Sequence, residues 1–275
     1  MKKYIAPLLA AASALFLSGC LQNETTLHIN KDGSGKLVEE TRLGAQMLTM
    51  MGGMAAMGGE QAATDPLDDM FTEEKARERA AKMGEGVEFS KIEKIDKNGA
   101  KGARVIYTIK DINQFKLSSD AGMENLSSMG GPNAQQQIEE AKEEDKPITF
   151  SLKNDTLTVN LPQPKPEDAE AAGDDANAEM ENPQMEAMMK EMLGDMKMSI
   201  KIVVESGISK TTATHSEGNT VTLMEMDMAK IMENPDGLKK LTKMDQQDPN
   251  KAMEELKDVK GVKFEPKETI TIKLK

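Results

Sequence analysis

The sequence is poor in the residues that most catalytic and metal sites use. Its 275 residues include one cysteine, two histidines, two tyrosines and no tryptophan. A single cysteine excludes an intramolecular disulfide and a cysteine-cluster metal site, and two histidines are too few for a multi-histidine site. The scarcity of aromatic rings also removes the stacking platforms with which proteins hold single-stranded nucleic acids.

Positive charge is in deficit as well, with 35 Lys and Arg against 47 Asp and Glu. This balance argues against binding to nucleic acid phosphates. Hydrophobic residues make up 38% of the chain, which is enough for a buried core. There is no Gly-x-Ser-x-Gly nucleophile elbow, and we interpret His28 and His215 as surface residues. We therefore expect a protein that is not an enzyme and holds no cofactor or resident metal.

The amino terminus carries the most specific pattern in the chain. Lys2 and Lys3 precede an apolar run over residues 4–17. This run is too short for a membrane-spanning helix, which needs about 20 residues, but it fits the apolar region of a secretory signal peptide. Leu17, Ser18, Gly19 and Cys20 follow it. The small side chains before Cys20 let enzymes approach the backbone, and a thiol is the nucleophile that a thioether requires.

These four residues resemble the lipobox of bacterial lipoproteins at every position. The resemblance implies a signal peptide over residues 1–19, cleavage between Gly19 and Cys20, a diacylglycerol thioether on Cys20 and an acyl chain such as palmitate on its new amino group. Several acyl chains anchor a protein stably, whereas one is marginal. Because Leu21 rather than Asp follows Cys20, enterobacteria-like sorting would place the protein on the periplasmic face of the outer membrane.

The mature chain alternates hairpin and helix patterns. Hairpins are predicted where two strand-like runs flank a turn: 24–31 with 36–43, 87–96 with 103–110, and the two arms of 148–161. Further strands are predicted at 197–205, 208–216, 220–227 and 267–274, and helices at 65–83, 133–144, 183–196, 228–244 and 249–258. This order predicts an α+β fold, in which antiparallel sheet built from hairpins and a meander is packed by a few helices.

One segment divides this body. Residues 162–183 contain four prolines and a run of acids without an apolar period, so we predict an acidic, proline-containing loop or linker. The lipidated N-terminus and a first α+β half then occupy residues 20–161, and a second α+β half occupies 184–275. The two halves could be two separate domains or could together form one domain, and the sequence leaves both arrangements open.

Residues 196–228 show an apolar alternation as far as Val204, then Gly207, and then a turn at Gly218–Val221 that leads into a strand. This segment resembles the three-strand segment of LppM-like bacterial lipoproteins. The resemblance implies a lipoprotein of the cell envelope, in agreement with the lipobox.

Methionine is unusually abundant, with 23 residues. Three clusters stand out: Met47, Met50, Met51 and Met54; Met185, Met188, Met189, Met192 and Met196; and Met224, Met226, Met228 and Met232. A stripe at helical spacing is typical of a core or contact face, which is the interpretation we favour. A promiscuous apolar binding surface and a Cu(I) site, for which thioethers are suited, are the alternatives.

The leading hypothesis is a non-catalytic, lipid-anchored envelope lipoprotein that binds an envelope partner or an apolar ligand, and no nucleic acid. A methionine-rich Cu(I)-handling periplasmic protein and an envelope hydrolase with an unrecognised site are the alternatives. The binding hypothesis predicts an apolar concavity lined by Met and Ile. The copper hypothesis predicts three methionine sulfurs close together, and the hydrolase hypothesis predicts His28 or His215 in a pocket beside a carboxylate.

Overall fold

The computed structural model describes residues 21–57, 66–97, 99–118, 146–162, 194–233, 256 and 258–275. These residues form two β-sheets that share an apolar core, with a few helices packed at the sides, which confirms the α+β class. The predicted signal peptide, Cys20, the predicted linker apart from Pro162, the predicted helix at 133–144 and nearly all of the one at 183–196 lie outside the described residues.

The strands of the described ranges are β1 Leu21–Ile29, β2 Gly35–Leu43, β3 Val87–Lys97, β4 Ala100–Ile109, β5 Lys116–Leu117, β6 Ile148–Lys153, β7 Thr156–Asn160, β8 Lys197–Val204, β9 Ile208–Thr211, β10 Ser216–Glu217, β11 Thr220–Asp227, β12 Val262–Phe264 and β13 Thr269–Leu274. The helices are α1 Ala45–Met57, α2 Pro66–Met70, α3 Glu73–Lys82 and α4 Met228–Met232, and a 3₁₀ turn spans Ile112–Gln114.

The large sheet has the strand order β10-β11-β8-β1-β2-β4-β3, and β12 also pairs with β11. The β1–β8 pair is parallel and the other pairs are antiparallel. Every second residue of β1 is buried, as the alternation predicts: Leu27 and Ile29 enter the core, while His28 lies on the opposite, half-buried face. The register places Leu27, Leu37 and Tyr107 in one row across the inner face.

The small sheet has the order β5-β6-β7-β13-β9 and packs its apolar face into the same core. The rings of Phe115 and Phe150 meet there with their centroids 5.4 Å apart. The β6–β7 turn forms at Asn154 and Asp155, whose φ angles are 50° and 58°. Asn and Asp tolerate this left-handed conformation better than most residues, so the predicted hairpin is confirmed.

The single helix predicted over residues 65–83 is wrong. The described part of this segment forms two helices, α2 and α3, separated by Phe71 and Thr72. The Phe71 N–H still donates to the Leu67 carbonyl, but the Thr72 hydroxyl accepts from the Lys75 N–H at 3.2 Å and starts a new helix. A side-chain cap in mid-segment therefore divides an otherwise continuous helical pattern.

The three-strand run after residue 196 divides between the sheets. β8 and β11 are antiparallel neighbours in the large sheet, but β9 crosses to the small sheet and pairs with β13. The crossing follows Gly207, whose φ of +87° is readily adopted only by glycine. The threonines after the turn then bond to β13: the Thr211 hydroxyl donates to the Thr271 carbonyl at 3.0 Å.

Candidate functional site

A groove of about 200 Å³ lies between α3 and the inner face of the large sheet. Its lining combines apolar and charged side chains from α3, from the segment before it and from β2 and β4: Glu39, Met70, Phe71, Thr72, Lys75, Ala76, Glu78, Arg79, Lys82, Val105 and Tyr107. Ala76 and Ala80 are the buried residues of α3. These short side chains let the helix approach the sheet, while its longer side chains border the groove.

A partly buried ion pair joins α3 to the sheet at this groove. Arg79 donates from Nε to Glu39 Oε2 at 3.0 Å and from Nη2 to Oε1 at 2.7 Å. The exposed fraction is 19% for the Arg79 side chain and 8% for the Glu39 side chain. Such two-point pairing fixes the direction of both groups as well as their distance. The pair therefore holds α3 in a defined position over β2.

Tyr107 lies beside this pair and is only 1% exposed. Burial raises the pKa of the Tyr107 phenol well above its ordinary value, and the charge of Glu39 and a hydrogen bond to it add to this rise, while Arg79 opposes it. The neutral phenol is thus favoured, because it donates a hydrogen bond to the Glu39 carboxylate and is itself shielded from water. Tyr107 consequently acts as a hydrogen-bond donor in the floor of the site.

A band of buried polar residues continues across the inner face from Glu39. Thr25 stands opposite Glu39 in the β1–β2 register, and Asn23 stands opposite Thr41. All four are at most 7% exposed. The Thr25 hydroxyl finds no hydrogen-bond partner among the described residues. Polar groups so deeply buried are normally paired. The inner face of the sheet beside the groove is therefore partly polar rather than wholly apolar.

The groove differs from the concavity expected for an apolar ligand. Instead of Met and Ile with few ionisable groups, it contains one methionine, no isoleucine and five charged residues. The cause is α3, whose Lys75, Glu78, Arg79 and Lys82 fall on one face through their spacing. The apolar wall made by Phe71, Met70 and Val105 beside this charged helix suits a small amphiphilic group better than a purely apolar one.

The two histidines lie away from the groove lining. His28 Nδ1 is 2.7 Å from Glu205 Oε1, and these side chains are 24% and 46% exposed. His215 Nε2 lies 3.1 Å from the Phe264 carbonyl oxygen. His28 therefore has a carboxylate neighbour, as the hydrolase hypothesis requires, but at an accessible position on the outer face of β1.

The described methionines of the third cluster mostly pack into a small second core. Met228 is buried with Ile231, Leu256, Val259 and Val262, and the partly buried side chains around them include Met196, Met226 and Met232. Met224 packs against the main core instead. In the second cluster only Met196 belongs to the described residues. In the first cluster Met47 packs beside Leu21 and Leu43.

Two further features bear on function. No group of three or more His, Cys, Asp or Glu side chains within the described ranges is arranged to hold a metal ion. None of the helices formed by these residues has the length and apolar character that crossing a membrane requires. Cys20 precedes the described residues by a single position, because β1 begins at Leu21.

Three residues of the groove, Glu39, Arg79 and Tyr107, were not predicted from the sequence. Two signals were available: Glu39 occupies an inward position in the alternation from Leu37 to Leu43, and the charges of α3 recur at helical spacing. Neither signal identifies the partner, because Glu39 and Arg79 are 40 positions apart. Only the register of β2 and the placement of α3 bring them together.

Comparisons with known proteins give a distant structural similarity. No protein-family model matches the sequence, and no curated protein matches it significantly. Among solved structures, the chain is similar to the NMR structure of the folded domain of LppM from Mycobacterium tuberculosis. The TM-score is 0.33 and the identity 9%, over 78% of this chain and 88% of that one. A similarity this distant does not show a common function.

Proposed function

We propose that this chain is a non-catalytic lipoprotein of the bacterial envelope, anchored through acylated Cys20 to the periplasmic face of the outer membrane. The observation that carries the proposal is the complete lipobox from Leu17 to Cys20, which ends where the folded body begins: β1 starts at Leu21. This position is compatible with cleavage before Cys20, because the signal peptide can leave without removing any part of β1.

The groove beside α3 is the proposed binding site of this body. Its apolar wall at Phe71, Met70 and Val105 faces a helix that carries Lys75, Glu78 and Lys82 beside the Glu39–Arg79 pair. This combination suits an amphiphilic ligand with a small anionic group, or an apolar side chain of an envelope partner that is flanked by acids. A binding role rather than catalysis is supported by the paired state of Glu39 and Arg79 and by the protonated state of Tyr107.

The anchoring is tested by replacing the only cysteine. We expect Cys20→Ala to leave an uncleaved precursor that incorporates no radiolabelled fatty acid, because no thiol remains to form the thioether. Ser18→Ala is the matched control, since it preserves a small side chain before the cleavage point and should be processed and labelled normally. Normal labelling of the Cys20→Ala protein would contradict the proposal.

The groove is tested by native mass spectrometry of the purified full-length protein. We expect a bound species in addition to the acyl chains, and we expect Phe71→Ala to lose it because Phe71 forms part of the apolar wall. Phe89→Ala is the control, since Phe89 is also half-buried but lies on β3 outside the groove. Equal retention of the ligand by both variants would place the binding site elsewhere.

A further inference from the structure

Of the four α-helices that the described ranges contain, α1 alone lacks a charged side chain. It spans Ala45–Met57 and contains no charged residue. The uncharged stretch extends further, over the 17 residues from Leu43 to Gly59, although charged residues make up 30% of the chain. A helix that is apolar on all sides is normally enclosed by protein or by lipid. The surroundings of α1 therefore need an explanation.

The body encloses only the start of this helix. The Leu48 N–H donates to the Gly44 carbonyl at 3.0 Å, and the partly buried Met47 and Leu48 pack against Leu21 and Leu43. Further along, Gly52 and Gly53 are exposed, and a Cβ atom added at either position would meet nothing within 4 Å. The helix thus packs on the body through Met47 and Leu48 and has open space around Gly52 and Gly53.

The end of the body at which α1 begins is the end that carries Cys20. Leu21 and Leu43 are paired in the β1–β2 register, and α1 begins two residues after Leu43. Leu21 directly follows Cys20. The acyl chains proposed for Cys20 would therefore hold a bilayer within one or two residues of the position at which α1 starts.

We propose that α1 lies in the interface of the lipid bilayer beside the acyl chains of Cys20 and gives the body a second contact with the membrane. Thirteen residues of helix measure about 20 Å, too short to cross the hydrocarbon layer, so the helix rests in the surface. The inference depends on the proposed lipidation of Cys20. With anchor and helix on the same end of β1, the body stands on the membrane in a fixed orientation.

The other candidate occupant of this helix surface is a second copy of the chain. An exposed apolar surface of this kind also serves protein–protein contacts. The bilayer is favoured because the anchor brings it to the start of α1 in every molecule, whereas nothing among the described residues at this end of the body indicates a symmetric partner. The two occupants make different predictions for a probe placed on α1.

The experiment uses the full-length, lipidated protein with a reporter on α1. Because acylation would occupy the only native thiol, Gly52→Cys adds a single reactive thiol at a position with open space around it. A nitrobenzoxadiazole probe is attached there, and the protein is reconstituted in vesicles of phosphatidylethanolamine and phosphatidylglycerol with or without doxyl-labelled lipid. We expect about twofold quenching by a shallow doxyl group, as for a helix in the headgroup region.

Lys153→Cys provides the matched control at the opposite end of the body. Lys153 is exposed, and the neighbouring turn is held beside the β1–β2 turn by the Lys31–Asp155 pair, whose Nζ and Oδ1 atoms are 3.7 Å apart. The length of β1 separates this end from Leu21 by about 26 Å. A probe at position 153 should therefore show no quenching by lipid in the same vesicles.

A second pair of variants tests the apolar character of α1. Changing Met50, Met51 and Met54 together to Gln should abolish most of the quenching at position 52, whereas changing them to Leu should preserve it. Both replacements are good helix formers, so loss of quenching in the Gln protein alone reports transfer of the helix from lipid to water.

Each outcome separates the two proposals. An unquenched probe at position 52 in protein whose mass shows acylated Cys20 overturns the membrane role of α1 but leaves the anchor intact. Disulfide cross-linking of two copies of the unlabelled Gly52→Cys protein, without lipid quenching of the probe, overturns it in favour of self-association. Absence of acyl chains from Cys20 in the same sample contradicts the proposed function itself.

Discussion

At the scale of single residues, the Glu39–Arg79 pair is the most consequential contact of the candidate site. It lies at the junction of α3 with the sheet, where the Glu39 side chain is buried and the Arg79 side chain is partly buried. The attraction between the two charges offsets the cost of shielding them from water, whereas the buried Glu39 carboxylate alone would have no such compensation. The stability of the protein should therefore depend strongly on which members of the pair are present.

We predict that Arg79→Met lowers the free energy of unfolding by about 3 kcal/mol, because it leaves the buried Glu39 carboxylate without its partner. Adding Glu39→Gln to this variant should recover part of the loss, since Gln carries no charge and still accepts a hydrogen bond from Tyr107. Urea unfolding measures both. Arg77→Met is the control: the Arg77 side chain is 63% exposed, and its loss should cost at most about 1 kcal/mol. Equal losses for Arg77 and Arg79 would contradict this account.

The raised pKa of Tyr107 predicts that the folded protein loses stability at high pH. Its pKa is raised in the folded state above the ordinary value of about 10. A group with a raised folded pKa contributes stability that is present below a pH of about 10 and is lost as the pH rises through the folded pKa. Tyr4 and Tyr107 are the two tyrosines, and the proposed cleavage before Cys20 would remove Tyr4, so tyrosinate absorbance of the cleaved protein would report Tyr107 alone.

We expect this absorbance to appear in the folded mature protein only well above a pH of about 10 or together with unfolding, whereas in urea it should follow an ordinary tyrosine titration. Tyr107→Phe should flatten the decline in stability in that range. The decline that remains in the Tyr107→Phe protein is the background common to both proteins. A normal tyrosinate titration without unfolding would show that the phenol is accessible.

The residue scale also shows what sequence reasoning could and could not reach. Alternation correctly separated Leu27 and Ile29 from His28, because the side chains of a strand alternate between its faces. The same alternation places Glu39 inward, yet it says nothing about Arg79 or Tyr107 as neighbours. Those contacts depend on the pairing of β2 with β4 and on the position of α3 against the sheet. Both bring together residues that are far apart in the sequence.

At the scale of elements, the sequence correctly predicted the strand pairs in which the two strands are close together along the chain. The hairpins β1–β2, β3–β4 and β6–β7 follow from turn residues between alternating runs. The division of α2 from α3 and the crossing of β9 were not foreseen. The sequence alone does not show that the Thr72 side chain caps α3 rather than lying within a longer helix. The position of β9 depends on hydrogen bonds to β13, a strand 60 positions away.

Helix α4 provides the element-scale test of the methionine clusters. Met228 is 4% exposed and packs with Ile231 and Leu256. If this cluster is a core, Met228→Leu should cost less than about 1.5 kcal/mol, because it conserves volume, and Met228→Ala should cost about 2–5 kcal/mol. Chemical denaturation measures both variants, and a competing chelator measures Cu(I) binding. Tight Cu(I) binding that Met228→Leu abolishes without loss of stability would instead favour the copper hypothesis.

At the scale of the whole molecule, the two halves of the chain are interleaved. The large sheet takes β1–β4 from the first half and β8, β10, β11 and β12 from the second, with the parallel β1–β8 pair at the junction. The small sheet takes β5, β6 and β7 from the first half and β9 and β13 from the second. The main core accordingly contains side chains from both halves throughout.

This interleaving predicts that the halves unfold together. Residues 20–161 alone would expose the edge of β1 that pairs with β8 and the edge of β7 that pairs with β13. Residues 184–275 would lack β1 and β7, which pair with β8 and β13 respectively. We therefore expect each fragment to show no cooperative thermal transition, and the whole protein to show one transition with equal calorimetric and van't Hoff enthalpies.

Mixing the fragments should restore cooperative unfolding, because each fragment then supplies the strands that the other lacks. A cooperative transition in either isolated fragment, or two separate transitions in the whole chain, would show that the core divides into independent domains.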